Sequence, residues 1–140
     1  MAEFIAVPLQ TVEADRNILF TNATICGNNS IIHSNNSGLI TVRGVTRQCR
    51  ARFKVTFGAN IAITEGGVVG PISVAIETNG EPIGSTVMTV TPAAIGDFFN
   101  VNRTIYIDIP VGCCTQISVG NISTQSIDVE NATLIVERVA

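Results

Sequence analysis

The feature that most constrains the fold is a pair of extended segments joined by Asn79-Gly80, within residues 70–92. Residues 72–77 read Ile-Ser-Val-Ala-Ile-Glu, an alternation that places apolar side chains on one face of a strand. Asparagine and glycine accept the positive φ that a two-residue hairpin turn requires. Residues 85–90 then supply the return strand. The segment therefore predicts a long β-hairpin and, with it, an antiparallel sheet.

The rest of the chain repeats this pattern of short extended segments separated by Gly, Asn and Pro. The longest alternation, residues 49–63, has apolar side chains at the odd positions of its first half, and Gly58 suggests a bulge within it. Only residues 91–97 suggest a helical turn, and no window has a 3.6-residue period. The sequence therefore predicts an all-β protein, an antiparallel jelly-roll β-sandwich of eight to ten short strands.

The 140 residues are enough for a single domain with a substantial core. Pro8 interrupts the first apolar run, so we expect residues 1–12 to form an N-terminal arm or edge strand and residues 13–140 a single jelly-roll domain. The first ten residues lack the basic region of a signal peptide. No segment approaches the roughly 20 apolar residues of a membrane span, so we expect no membrane contact.

The composition is apolar and weakly charged. Hydrophobic residues make up 46% of the chain and charged residues only 14%, which indicates a protein that buries surface against copies of itself. The net charge of −3 argues against nucleic acid as a partner. The absence of Trp and the single Tyr argue against an aromatic platform for sugars.

Four cysteines carry the most reactive chemistry of the chain: Cys26, Cys49, Cys113 and Cys114. Their spacing does not match a structural zinc site. Two interpretations stay open. The cysteines form cross-links, within the domain or between subunits of a durable assembly, or all four are reduced and Cys49 packs as a small apolar core residue.

A basic segment supplies a candidate binding surface. Arg50, Arg52 and Lys54 share one face of a strand and would suit an anionic glycan, a phosphate or an acidic neighbour. The alternatives are a solvated strand face, or ion pairs between subunits with acidic residues such as Asp128, Glu130 and Glu137.

No catalytic arrangement stands out. His33 is the only histidine and lies in a segment rich in Asn and Ser, without a residue nearby to orient it. No pair of the eleven carboxylates is singled out for acid–base chemistry. We therefore expect a protein that is not an enzyme and that needs no cofactor or metal.

The order of four segments resembles that of a known superfamily. They read CRARFKVTFGANIAI, GPISVAIETNGEPIGSTVMTV, NVNRTIYIDIPVGCCTQISVGN and ATLIVERVA. Over residues 38–140 this order is similar to that of the trimeric jelly rolls of the tumour-necrosis-factor and complement globular-head superfamily. It is closest to the heads of bacterial collagen-like spore-surface proteins. The resemblance implies a compact homotrimer without catalysis, with an interface that includes Tyr106, Leu134, Val136 and Val139.

Two functions are compatible with these observations. The first is a non-enzymatic structural protein that self-assembles into homotrimers in a bacterial or phage fibre, spore surface or capsid decoration. The second is a trimeric head that binds a glycan or a surface receptor through the loops at residues 21–37 and 66–70. In both, we expect the protein to work outside the cell or on a particle surface.

Overall fold

A computed structural model describes residues 2–25, 31–33, 37–43, 50–110 and 114–139. Within these ranges the chain forms twelve β-strands. In chain order they are β1 (Ala2–Ala6), β2 (Gln10–Val12), β3 (Asn22–Ile25), β4 (Ile31–His33), β5 (Ile40–Arg43), β6 (Arg50–Ile63), β7 (Ile72–Thr78), β8 (Glu81–Pro82), β9 (Met88–Val90), β10 (Phe99–Pro110), β11 (Cys114–Asn121) and β12 (Ile127–Arg138).

The strands form two antiparallel sheets. Sheet A has the order β10-β6-β12-β1-β3, and β2 also pairs with β12. Sheet B has the order β4-β5-β11-β7-β8, and β9 also pairs with β7. The prediction of an all-β antiparallel sandwich is confirmed. The described strands outnumber the predicted eight to ten because several, such as β8, are only two or three residues long.

The core lies between the two sheets and follows the alternation of β6. Phe53, Val55 and Phe57 are fully buried, whereas Arg52 on the opposite face is exposed. Gly58 pairs in regular register with β10, so the bulge that it suggested is not in β6. The irregularity lies instead in the facing part of β12, where Asn131 adopts a φ of 53°.

The hairpin prediction is confirmed at its turn. Asn79 and Gly80 have φ values of 51° and 85°, as a type I′ turn requires. The return strand is split into β8 and β9 by a 3₁₀ turn at Gly84–Thr86. The Thr86 hydroxyl stabilises this turn, because it accepts a hydrogen bond from the Ile76 amide at 3.0 Å and lies 2.7 Å from the Ile83 carbonyl oxygen. The helical turn expected at residues 91–97 does not form.

The prediction of an N-terminal arm or edge strand is wrong for residues 2–6. Strand β1 lies inside sheet A, paired with β12 on one side and β3 on the other. Ala2 and Phe4 are buried in the core. Pro8 does not prevent this pairing because it lies in the connection between β1 and β2, outside both strands.

Candidate functional site

The outer face of sheet A is polar but carries few charges at its centre. Thr56 and Thr104 are directly opposite each other, with their hydroxyls 3.1 Å apart. Two rows further along the same face, Asn100 donates a hydrogen bond of 3.2 Å to the side-chain oxygen of Asn60. These short-range pairs satisfy the side chains within the sheet, so the face presents a flat surface of small polar groups.

On the predicted anion-binding face, Arg52 is already paired with an acidic residue. Arg52 donates two hydrogen bonds to Asp108 on the neighbouring strand, at 2.7 Å and 3.1 Å. The hydrogen bond to Asp108 and its charge raise the pKa of the Arg52 guanidinium. Lys54 lies between Tyr106 and Glu137 in register. The side chain of Arg50 is outside the described residues, and anion binding on this face stays a prediction.

The interface prediction is wrong for two of its four residues. Leu134 and Val136 are fully buried within the protein core, because the even-numbered residues of β12 face inward after the register shift between Glu130 and Thr133. A neighbouring protomer therefore has no access to them. Tyr106 and Val139 are 63% and 43% exposed, so they stay candidates for an interface. Ile135, half-buried on the outer face, is the apolar residue of this segment that sequence analysis missed.

One edge of the sandwich leaves the core partly uncovered. Strand β10 is the edge of sheet A, and β9 lies across from it in sheet B. Val90, Ile105 and Ile107 pack against the core here but are only half-buried. Val87 and Phe99, at the ends of these strands, are 41% and 44% exposed. We call this apolar strip the β9–β10 edge.

The structure describes few of the predicted reactive residues. Cys26, Cys49 and Cys113 lie outside the described residues. Cys114, the first residue of β11, is exposed and has a free thiol. The prediction of cross-links is therefore not decided by this structure. His33 ends β4, and its side chain is also outside the described part.

A surface cleft that sequence analysis missed lies beside sheet B. Residues within 10–19 and residues 37–39 line it, and its volume is about 720 Å³. Its lining combines the charged side chains of Glu13, Asp15 and Arg16 with two exposed leucines, Leu19 and Leu39. In the sequence, residues 13–17 show only a short polar run, which is equally typical of an ordinary turn.

Hydrogen bonds of the Gln10 side chain and of two backbone amides hold the cleft in shape. The Gln10 side chain donates to the Leu19 carbonyl at 2.9 Å and accepts from the Leu19 amide at 3.0 Å. The amides of Asp15 and Ile18 donate to carbonyls of β11, at 2.9 Å and 2.8 Å. Asp15 sits in a turn with a φ of 62°. Residues 10–19 therefore form a loop, which we call the hoop. The Gln10–Leu19 hydrogen bonds join its two ends, and the amides of Asp15 and Ile18 attach it to β11.

A buried carboxylate lies behind the cleft. Glu77 of β7 is only 9% exposed, and Ser118 of β11 donates to it at 3.1 Å. The carboxylate occupies the space above Gly120, where a Cβ atom would lie 2.5 Å from it. Burial raises the pKa of the Glu77 carboxyl, the Ser118 hydrogen bond lowers it, and the nearby Asp15 charge raises it further; the net direction is upward.

We expect the variant Glu77→Gln to be more stable than the parent at pH 7. Because the pKa of Glu77 is raised in the folded protein, its contribution to stability is present below its unfolded pKa and is lost as pH rises through the folded value. Glutamine removes the buried charge and keeps an oxygen that can accept the Ser118 hydrogen bond. Thermal unfolding at several pH values would show a gain at pH 7 that disappears in acid.

The matched control is Glu81→Gln, which removes the same charge from an exposed position of the same hairpin. It should leave the unfolding temperature unchanged across this pH range. A Glu77→Gln variant that loses stability at pH 7 would show instead that the ionised carboxylate is favourable where it lies.

Two negative findings bear on the class of site. Among the described residues, no group of three or more His, Cys, Asp or Glu side chains is placed to hold a metal ion. The described residues also contain no helix long and apolar enough to cross a bilayer.

The two antiparallel sheets form a jelly-roll β-sandwich. The globular domain of the zebrafish complement 1qA protein has the same fold, with a TM-score of 0.56 over 96% of this chain and 94% of that chain, at 6% sequence identity. The C-terminal domain of EclA, a sugar-binding protein, has a lower TM-score of 0.41 at 14% identity, covering 94% of this chain and 80% of that one, and adds nothing to the assignment. No protein-family model and no curated protein sequence matches the chain.

Proposed function

We propose that this chain is a non-enzymatic head domain that assembles into homotrimers and serves as a structural unit at the surface of a cell or particle. The observation that carries the proposal is the β9–β10 edge, where half-buried core residues are left without cover in a single protomer. Covering Ile105 and Ile107 against another subunit would remove apolar area from water, at roughly 25 cal/mol per Å².

A second surface suits the same contact. On the outer face of sheet A, Tyr106 protrudes from β10, and the half-buried side chains of Ile135 and Ile5 lie two and three strands away. Contact between the apolar edge of one protomer and this face of the next would be heterologous, and such a contact gives a ring when its rotation closes. The trimers of the superfamily that the sequence resembles support three as the number of subunits.

The variant Tyr106→Glu tests this proposal. The side chain is 63% exposed and faces away from the core, so the change should leave the fold intact. Replacing the aromatic ring by a carboxylate should shift a trimer toward monomers, because apolar contact area would be lost and the new charge would be desolvated on assembly. Sedimentation velocity should show a parent near three times the 14.8 kDa of the chain and a variant that dissociates at higher protein concentration.

Gln116→Glu is the control, because it adds one negative charge to an exposed position on sheet B. It should sediment like the parent. A parent protein that sediments as a monomer would refute the trimer, and a Tyr106→Glu variant as stable in assembly as the parent would place the interface elsewhere.

A ligand-binding head is the second candidate function, and the cleft beside sheet B is the observation that favours it. Its volume of about 720 Å³ falls within the range of small-molecule sites. Of the two loops first expected to bind a ligand, residues 66–70 do not line the cleft. Residues 21–37 are described only in part, and their last residue, Ser37, belongs to the cleft lining. This candidate is compatible with the trimer and does not require it.

A further inference from the structure

We propose that the cleft between residues 10–19 and 37–39 binds a short neutral saccharide. The proposal rests on the second candidate function, ligand binding, and is independent of the trimer. It names a site and a class of ligand for that function.

Three polar side chains at the cleft are available for a ligand. Among the described residues, Glu13, Arg16 and Asn17 make no side-chain hydrogen bond with one another or with the rest of the protein. The Glu13 carboxylate can accept hydrogen bonds, the Arg16 guanidinium can donate them, and the Asn17 amide can do both. Sugar hydroxyls are donors and acceptors in close succession, so a mixed set of this kind matches them better than a single type of group would.

Two leucines supply the apolar part of the cleft. Leu19 is 46% exposed and Leu39 is 39% exposed, and they come from the two segments that line the cleft. A pyranose ring carries C–H groups on its faces and hydroxyls around its rim. The leucines can contact the former while the polar side chains bind the latter, as in sites that combine apolar walls with a few placed polar groups.

The local charge favours a neutral ligand. Glu13 and Asp15 line the cleft with one cation, Arg16, and the Glu77 carboxylate lies close behind Asp15. An anionic ligand would therefore meet a surplus of negative charge. The same surplus would attract an amine, so a cationic ligand must be tested directly.

The cleft needs little reorganisation to bind. The Gln10 side chain and the backbone hydrogen bonds to β11 hold the hoop of residues 10–19 at both ends. Gly38 packs directly against this segment, and an added Cβ would lie 2.8 Å from the Asn17 Cβ. A site whose walls are already fixed loses little conformational entropy when a ligand arrives.

Titration of the ¹⁵N-labelled full chain, followed by amide chemical shifts, tests the proposal. The probes are glucose, galactose, mannose, N-acetylglucosamine and their β-linked disaccharides, each raised to about 50 mM, well above a weak Kd of about 1 mM. At least one should shift the amides of residues 10–19 and 37–39 in a saturable way. Ethanolamine and acetate, titrated in parallel, test the charge argument.

The variants Glu13→Gln and Arg16→Gln should each weaken that binding by about tenfold, since each loses a hydrogen bond from a charged group. Both side chains are exposed, and unchanged shifts away from the cleft would show that the fold is intact. Glu81→Gln and Arg103→Gln, exposed positions outside the cleft, are the matched controls and should bind like the parent.

Three results would overturn the proposal. No saturable shift with any saccharide would remove saccharides from the cleft. Saturable shifts confined to other residues would keep the ligand-binding function and move the site away from the cleft. If ethanolamine or acetate binds at the cleft and no saccharide does, the cleft recognises charge rather than hydroxyls.

Discussion

Replacing Phe57 by alanine should lower the free energy of unfolding by about 3–5 kcal/mol. Phe57 is fully buried in the middle of β6, the strand that lies between β10 and β12 in sheet A. Truncation removes a large apolar side chain and leaves a cavity, because the flanking strands are fixed by their hydrogen bonds and cannot collapse into the space. Urea unfolding monitored by circular dichroism, at one fixed protein concentration, measures the loss.

Phe98→Ala is the control for this prediction. Phe98 is 39% exposed and lies just before β10, outside the strands, so the same truncation should cost less than half as much. An equal loss in the two variants would mean that the centre of sheet A is not the part of the core on which stability depends most.

The second large effect should come from Gly38→Ala, which we expect to cost about 1–3 kcal/mol through overpacking. An added Cβ would lie 2.8 Å from both the Ile18 carbonyl oxygen and the Asn17 Cβ. The carbonyl belongs to a backbone segment tied to β11 by the Ile18 amide, so it cannot move aside cheaply. Thermal unfolding would give the loss, and amide shifts in residues 10–19 would show that the hoop is displaced.

Gly70→Ala provides the comparison, since nothing lies within 4 Å of the added Cβ at that position. It should be neutral or slightly stabilising, because alanine restricts the unfolded chain. A Gly38→Ala variant that behaves in the same way would indicate that residues 37–39 are less tightly packed against the hoop than the distances imply.

Local chemistry made the central hairpin predictable. The Asn79-Gly80 pair accepts positive φ at both positions, and the structure has both. The alternation of β6 was equally informative, since Phe53 and Phe57 belong to the buried face that the pattern assigned to them. Where residues that are close along the chain determine the conformation, the sequence was sufficient to predict it.

Pairing between distant segments was not predictable in this way. The partners of β1 in sheet A include residues 132–136, far along the chain, and nothing within residues 1–12 indicates them. The 3₁₀ turn at Gly84–Thr86 depends on the Thr86 hydroxyl meeting the Ile76 backbone across the hairpin. Such contacts appear only once the register of the strands is known.

The candidate interface shows the same limit. Residues 134–136 read Leu-Ile-Val, and three consecutive apolar residues do not reveal which face of a strand is buried. Pairing with β6 and β1 decides the matter and turns Leu134 and Val136 inward, leaving Ile135 outside. The cleft was beyond the sequence for a related reason, because its two sides come from separate turns brought together by β11 and Gly38.

A nascent chain cannot complete sheet A until β12 has been synthesised. Strand β6 emerges before either of its partners, β10 and β12, and β1 has only β3 to pair with until β12 is made more than a hundred residues later. During that interval the apolar side chains of both strands are exposed to other chains at the ribosome. The yield of folded protein therefore depends on how well the incomplete sheet A is kept from associating with other chains, as well as on the stability of the complete fold.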